Sequence, residues 1–151
     1  MTRIMGIDLG ERRIGIAVGD TVTGSARGLA VVIRSDPARD RDKLAAIVDD
    51  QAIDEVVLSL PRNTDGSEGP QAAATSAWAI AVLQGLGLPS SFRDEALSSQ
   101  AAEANLGRAR RGRSGGPPSA AARDRRRGAI DREAARIILQ AEIDARRRVR
   151  P

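Results

Sequence analysis

Arg3-Ile4-Met5-Gly6-Ile7-Asp8-Leu9-Gly10-Glu11-Arg12-Arg13-Ile14-Gly15-Ile16-Ala17-Val18-Gly19-Asp20 reads as a strand, a tight turn and a second strand. Ile4, Ile7 and Leu9 are strand formers, and Gly10 lets the backbone turn or approach another group closely without a Cβ in the way. Ile14, Ile16 and Val18 then alternate with small residues, the pattern of a strand with one apolar face and one crowded face. Asp8 therefore falls near the end of a buried strand. A carboxylate there is costly to bury unless it is paired or holds a cation. Two readings stand at this point: Asp8 caps a turn or pairs with Arg12 or Arg13, or it belongs to a catalytic centre.

Further along, Leu29, Val31 and Ile33 alternate within 26–33, which predicts a third strand joined to the second as an antiparallel meander. Asp36-Pro37 supplies an N-cap and a Pro at the first helical position, and a helix with Leu44, Ile47 and Val48 on one face should follow to about Asp50. Val56-Val57-Leu58-Ser59-Leu60, closed by Pro61, has the continuous apolar character of a central strand covered on both faces. The polar loop 62–70 leaves the carboxyl end of that strand, where ligands gather in open α/β sheets. Ser67 can cap the next helix, and free N–H groups there suit a phosphate. An ordinary turn with a helix cap accounts for the same residues.

An Ala-rich helix over 71–84 should place Ala74, Trp78 and Val82 in the core, with Gly85 and Gly87 at its end. Pro89–Arg93 predicts a last short strand, with Asp94-Glu95 at its carboxyl end. A short helix should run from Ser98 or Ser99 to Leu106. Residues 107–127 show no periodicity and carry Gly115-Gly116-Pro117-Pro118, which predicts a mobile loop rich in Arg, Gly and Pro within one domain spanning 1–151. A final helix is expected from about Gly128 to Arg148, with Ile130, Ala134, Ile137, Ile138 and Ala141 as its apolar face. That start would put Asp131 in the first turn, where the helix dipole by itself accounts for a carboxylate.

Composition narrows the chemistry. The chain of 151 residues has no Cys and no His. Disulfides, thiolate nucleophiles, His general bases and His-ligated metals are thereby excluded. What remains is Asp, Glu, Ser, Thr, Lys and Arg, or a hard cation held by oxygen. No apolar run spans a membrane, and no signal peptide is legible, so a cytoplasmic setting is expected. The net charge of +4 is uneven: residues 107–127 hold eight Arg and one Asp. Clustered Arg suits a polyanion such as nucleic acid. With one Trp, one Phe and no Tyr, base-stacking platforms are poor candidates, so backbone and shape would be recognised instead.

Three meandering strands, helix, strand, helix, strand, two helices, with acids at Asp8, Glu95 and Asp131, resemble an RNase H-like fold. In such folds acids converge at one end of a five-stranded mixed sheet, three strands antiparallel and two parallel, with flanking helices. The resemblance sharpens at Gly6-Ile7-Asp8-Leu9-Gly10, Arg12-Arg13-Ile14-Gly15-Ile16-Ala17 and Asp20, which are similar to the opening of the YqgF family, also called RuvX. Leu60-Pro61 and Asp65 to Pro70 resemble its central loop, Asp94-Glu95 with Leu97-Ser98 a later segment, and Ile130-Asp131, Ala134-Ala135 and Ile138-Leu139-Gln140 its last helix. Two departures are Ala96, where the family usually has Arg, and Ser59, where it usually has Gly.

This resemblance implies a divalent-metal-dependent nuclease that processes the 5′ end of precursor 16S ribosomal RNA. The alternatives are cleavage of four-way DNA junctions and nucleic-acid binding without catalysis. It implies Asp8, Glu95 and Asp131 as catalytic and metal-holding acids, with Mg²⁺ or Mn²⁺ as the cation. Gly10, Arg13, Asn63, Gly66, Ser67, Arg110 and Arg111 are candidates for contacting the substrate. The partners expected are structured RNA or branched DNA and no membrane, for a monomer or homodimer. The Asp-x-Gly strand also opens actin-like and sugar-kinase ATPases, but this chain lacks the second half with which those enzymes close around ATP.

Overall fold

The computed structural model describes residues 1–60, 70–94, 98–106 and 116–149. In it β1 (Arg3–Leu9), β2 (Arg13–Asp20) and β3 (Ala26–Ile33) form an antiparallel meander. β4 (Glu55–Leu60) pairs in parallel with the other side of β1, and β5 (Ser90–Asp94) pairs in parallel with β4. The order across the sheet is β3-β2-β1-β4-β5. The helices are α1 (Pro37–Gln51), α2 (Pro70–Leu86), α3 (Ser98–Leu106) and α4 (Ala120–Val149). This is the mixed five-stranded sheet that the sequence predicts.

The two-residue period of the strands sorts their side chains onto two unequal faces. Met5, Ile7 and Leu9 of β1, Ile14, Ile16 and Val18 of β2, and Val56 and Leu58 of β4 pack with Leu44 of α1 and Trp78 and Val82 of α2. Each such side chain, once fully buried, contributes about 1.5–3 kcal/mol. On the opposite face Ile4, Ala17 and Val57 meet Ala135, Ile138, Leu139 and Ile143 of α4. Glycines alternate through this second face. A Cβ on Gly6 would lie 2.9 Å from Leu139 Cβ, and one on Gly19 would lie 2.8 Å from Ile143 Cδ1. The crowded face of the opening segment is thus the seat of α4, which rests almost on the backbone of the sheet. α3 packs on α4.

Local signals hold where they are strong. The Asp36 carboxylate accepts the Arg39 N–H at 2.9 Å and caps α1, with Pro37 in its first turn. Gly87 ends α2 with φ +67°, and its N–H returns to the Leu83 carbonyl.

Four expectations are corrected. The loop predicted over 107–127 gives way to helix from Ala120. Ser119 caps it, its hydroxyl accepting the Ala122 N–H at 3.1 Å. Ala and Arg are strong helix formers, and this extension lacks an apolar stripe because it projects beyond the sheet. Residues 107–115 lie outside the described residues. In α2 Ala74 is exposed, and the buried stripe is Thr75, Trp78, Ala79, Val82 and Leu83, since a 3.6-residue period drifts away from strict spacing by four. On α4 the buried residues are Gly128, Ala134, Ala135, Ile138, Leu139 and Ile143. Ile130, Ile137 and Ala141 are only half-buried at its margins. In β3 the pairing slips: Ile16 faces Ala30 but Ala17 faces Gly28, so Leu29 is an extra residue. Past this bulge Val32 points into the core and Ile33 is exposed.

Candidate active site

Asp8 lies next to the end of β1, 5% exposed, on the face that carries α4. Its cross-strand partner on β2 is Gly15. A Cβ on Gly15 would lie 2.1 Å from the Asp131 carbonyl oxygen and 3.2 Å from Asp131 Cβ. Asp131 is therefore laid over the strand immediately beside Asp8, and only a residue without a side chain permits it. On its other side, Asp8 Oδ1 accepts a hydrogen bond from Ser59 Oγ of β4 at 3.1 Å, within the buried interior. β1, β4 and β5 run parallel, so their carboxyl ends share one edge of the sheet, with Leu60 and Asp94 in register.

Asp131 is half-buried and stands about three turns inside α4 rather than in its first turn. The dipole explanation for this acid is thus removed. Burial pushes its carboxyl above the ordinary value, and the Arg13 and Arg127 guanidiniums oppose that shift without cancelling it. All three groups line an open cleft of about 440 Å³, together with Gly10, Glu11 and Arg12. The turn between β1 and β2 forms one wall. Its geometry is held by Gly10, whose N–H donates to the Arg13 carbonyl at 2.8 Å and whose carbonyl accepts from Arg34 at 3.0 Å. Arg13 also forms an ion pair with Asp124 of α4.

Of the residues expected from sequence, Asp8, Asp131, Gly10 and Arg13 come together at this edge. Glu95, Asn63, Gly66, Ser67, Arg110 and Arg111 lie outside the described residues, and among the described residues no group of three or more acids is gathered. The two acids that do converge offer only carboxylate oxygen, and the described residues around them add hydroxyl and backbone oxygen. That donor set suits a hard cation such as Mg²⁺ or Mn²⁺.

Two features escaped the sequence. Ser59 donates to Asp8 from a position where a small residue packs under α4, and only its departure from the usual Gly marked it. Asp40 of α1 is fully buried, yet it accepts the Ser35 N–H at 2.8 Å and the Trp78 indole N–H at 3.1 Å. It therefore braces the core rather than lining a site. Arg127 reaches the cleft only because α4 starts early. Asp20, at the far end of β2, accepts N–H bonds from Thr23 and Val22 and the Thr23 hydroxyl. The bond from the Thr23 backbone leads the effects that hold its carboxyl below the ordinary value. Its work is to fix the turn into β3.

Residues 2–145 match the RuvX family, described as Holliday junction resolvase. A protein of Anaeromyxobacter dehalogenans is 40% identical over 144 residues, covering 95% of this chain and 98% of its own. One from Cereibacter sphaeroides is 42% identical over 141 residues, covering 93% and 82%. One from Halothermothrix orenii is 36% identical over 142 residues, covering 94% of each. All three bear the name "Putative pre-16S rRNA nuclease". Among solved structures, Thermus thermophilus RuvC in complex with a Holliday junction substrate superposes with a TM-score of 0.56 at 21% identity, covering 97% of this chain and 96% of that one. That likeness establishes a shared RuvC-like, RNase H-like fold. With a match that runs almost from end to end, and with Asp8, Gly15 and Asp131 gathered at one sheet edge, this chain belongs to the RuvX family.

Proposed function

We propose that this protein is a divalent-metal-dependent nuclease that hydrolyses phosphodiester bonds, trimming the 5′ end of precursor 16S ribosomal RNA in the cytoplasm. The observation that carries the reading is the meeting of Asp8 and Asp131 across Gly15, at the rim of an arginine-lined cleft. Asp8 and Asp131, with Glu95, are the residues that would hold Mg²⁺ or Mn²⁺. When bound, the cation supplies a Lewis acid that makes water nucleophilic and steadies the leaving oxygen.

The chain's own residues do the rest. Ser59 orients the Asp8 carboxylate. Arg13 and Arg127 draw the phosphate backbone towards the two acids, and the turn at Gly10 leaves room for its approach. Asn63, Gly66, Ser67, Arg110 and Arg111 are further candidates for contacting the substrate. The relatives' names support an RNA substrate. The description of the family supports a second reading, in which the same site cuts four-way DNA junctions.

The test compares wild type with Asp8→Asn on a precursor 16S leader RNA and on a four-way DNA junction, each with Mg²⁺, Mn²⁺ or EDTA. Cutting of the RNA only with metal, and only by wild type, is the expected result. Cutting of the junction alone moves the substrate to DNA. Equal binding by both proteins with no cutting overturns the catalytic reading and leaves a binding protein.

A further inference from the structure

Arg13 lines the cleft where a phosphate would enter, and it is already engaged. Its side chain is 15% exposed and lines the cleft beside Asp131 and Arg127. Its guanidinium is held by Asp124, whose side chain is 65% exposed on the projecting first turns of α4. The two residues are 111 positions apart in sequence, so the pair exists only because α4 crosses the sheet. Asp124 is also the single acid among Arg123, Arg125, Arg126 and Arg127. A carboxylate offers a guanidinium the same two-oxygen fork as a phosphate does.

We propose that Asp124 is a specificity residue: its carboxylate occupies Arg13 in place of a phosphate and must be displaced by the incoming backbone. The inference rests on the nucleic-acid substrate argued above and deepens it. A pair with one well-exposed partner is worth no more than about fivefold in binding. A backbone that also engages Arg12 and Arg127 can displace the carboxylate, because it gains several contacts while losing one. A lone phosphate gains too little. Displacement also frees Asp124 from Arg13, while the arginines around it in sequence remain available to the polyanion. The cleft therefore discriminates extended backbones from isolated anions.

The test is binding, in EDTA, of a fluorescent precursor 16S leader RNA followed by anisotropy from about 50 to 300 mM salt, where each phosphate contact adds to the slope. Wild type, Asp124→Asn, Arg13→Gln and the double variant are compared, with far-UV circular dichroism for folding. Asp144→Asn removes an equal charge elsewhere on α4 and is the control for net charge. Asp124→Asn should bind about three- to fivefold tighter with an unchanged slope, because Arg13 meets a phosphate in both complexes, whereas Arg13→Gln should lose about 0.7–0.9 of slope, one phosphate contact. Free inorganic phosphate should compete better against Asp124→Asn than against wild type. In the Arg13→Gln background the Asp124→Asn change should do no more than Asp144→Asn does; where Arg13→Gln does not fold, Arg13→Met, which keeps the apolar stem and loses the charge, takes its place. An effect no larger than that of Asp144→Asn, or one that persists without Arg13, overturns the proposal and leaves the nuclease reading standing. Failure of wild type to bind the RNA at all overturns this proposal together with the RNA-substrate reading.

Discussion

Gly15 and Asp131 are so close that a single methyl group between them would sit 2.1 Å from the Asp131 carbonyl oxygen. Gly15→Ala therefore has to lift α4 away from β2, and with it Asp131 away from Asp8. Overpacking of this kind costs about 1–3 kcal/mol. Urea denaturation should show that loss, and cleavage should fall by more than stability predicts, because the site is taken apart. Gly87→Ala is the contrast. Gly87 has open space around it and only its φ of +67° resists a side chain, so that variant should lose about 1 kcal/mol and keep its activity.

Ser59→Gly removes the hydroxyl that donates to Asp8 and leaves the backbone able to adopt the same strand. The hydrogen bond is buried, so its loss should lower stability by about 1 kcal/mol. Cleavage should fall several-fold at limiting metal and recover at saturating metal, since the Asp8 carboxylate would be less well oriented while remaining present. A metal titration of the cleavage rate checks this.

Trp78→Phe keeps an aromatic ring in the core, at a smaller volume, and deletes the indole N–H that reaches Asp40. Asp40 is fully buried, and a buried carboxylate short of a donor costs about 1–3 kcal/mol. The melting temperature should drop accordingly, and the cleavage rate of the folded protein should not change.

Glu142 of α4 binds Arg93 of β5 at 2.6 Å and Arg146 at 3.1 Å, and Arg146 in turn reaches Glu55 of β4. Burial works against the Glu142 charge, but these two arginines overcome it and hold its carboxyl below the ordinary value. The ionised form is thus favoured by folding. Its contribution is complete above the unfolded pKa of about 4.3, and it is lost as pH falls through the lower folded value. Glu142→Gln should cost about 1 kcal/mol at neutral pH, and the gap to wild type should close on acidification below about pH 4 and narrow in high salt. Denaturation at several pH values reads this directly.

Much of this protein is local, and local features are legible in its sequence. Ile14, Ile16 and Val18 alternate with Gly15, Ala17 and Gly19, so β2 and its two unequal faces follow from a two-residue period. Asp36-Pro37 caps α1 by contacts three residues long. Asp8 is placed beside a strand end by its neighbours alone. The tertiary structure decided what depends on distant partners. The Arg-rich segment 120–127 has no apolar stripe to announce a helix, and it is helical as the continuation of a helix whose later turns are seated on the sheet. Ser59 meets Asp8 across 51 positions, Trp78 meets Asp40 across 38, and Arg13 meets Asp124 across 111. Such pairs leave no periodic trace, because the energy that joins them is gained only after the sheet and α4 have packed. Asp131 shows both halves: its carboxylate is written in the chain, and its place beside Asp8 comes from the missing side chain of Gly15.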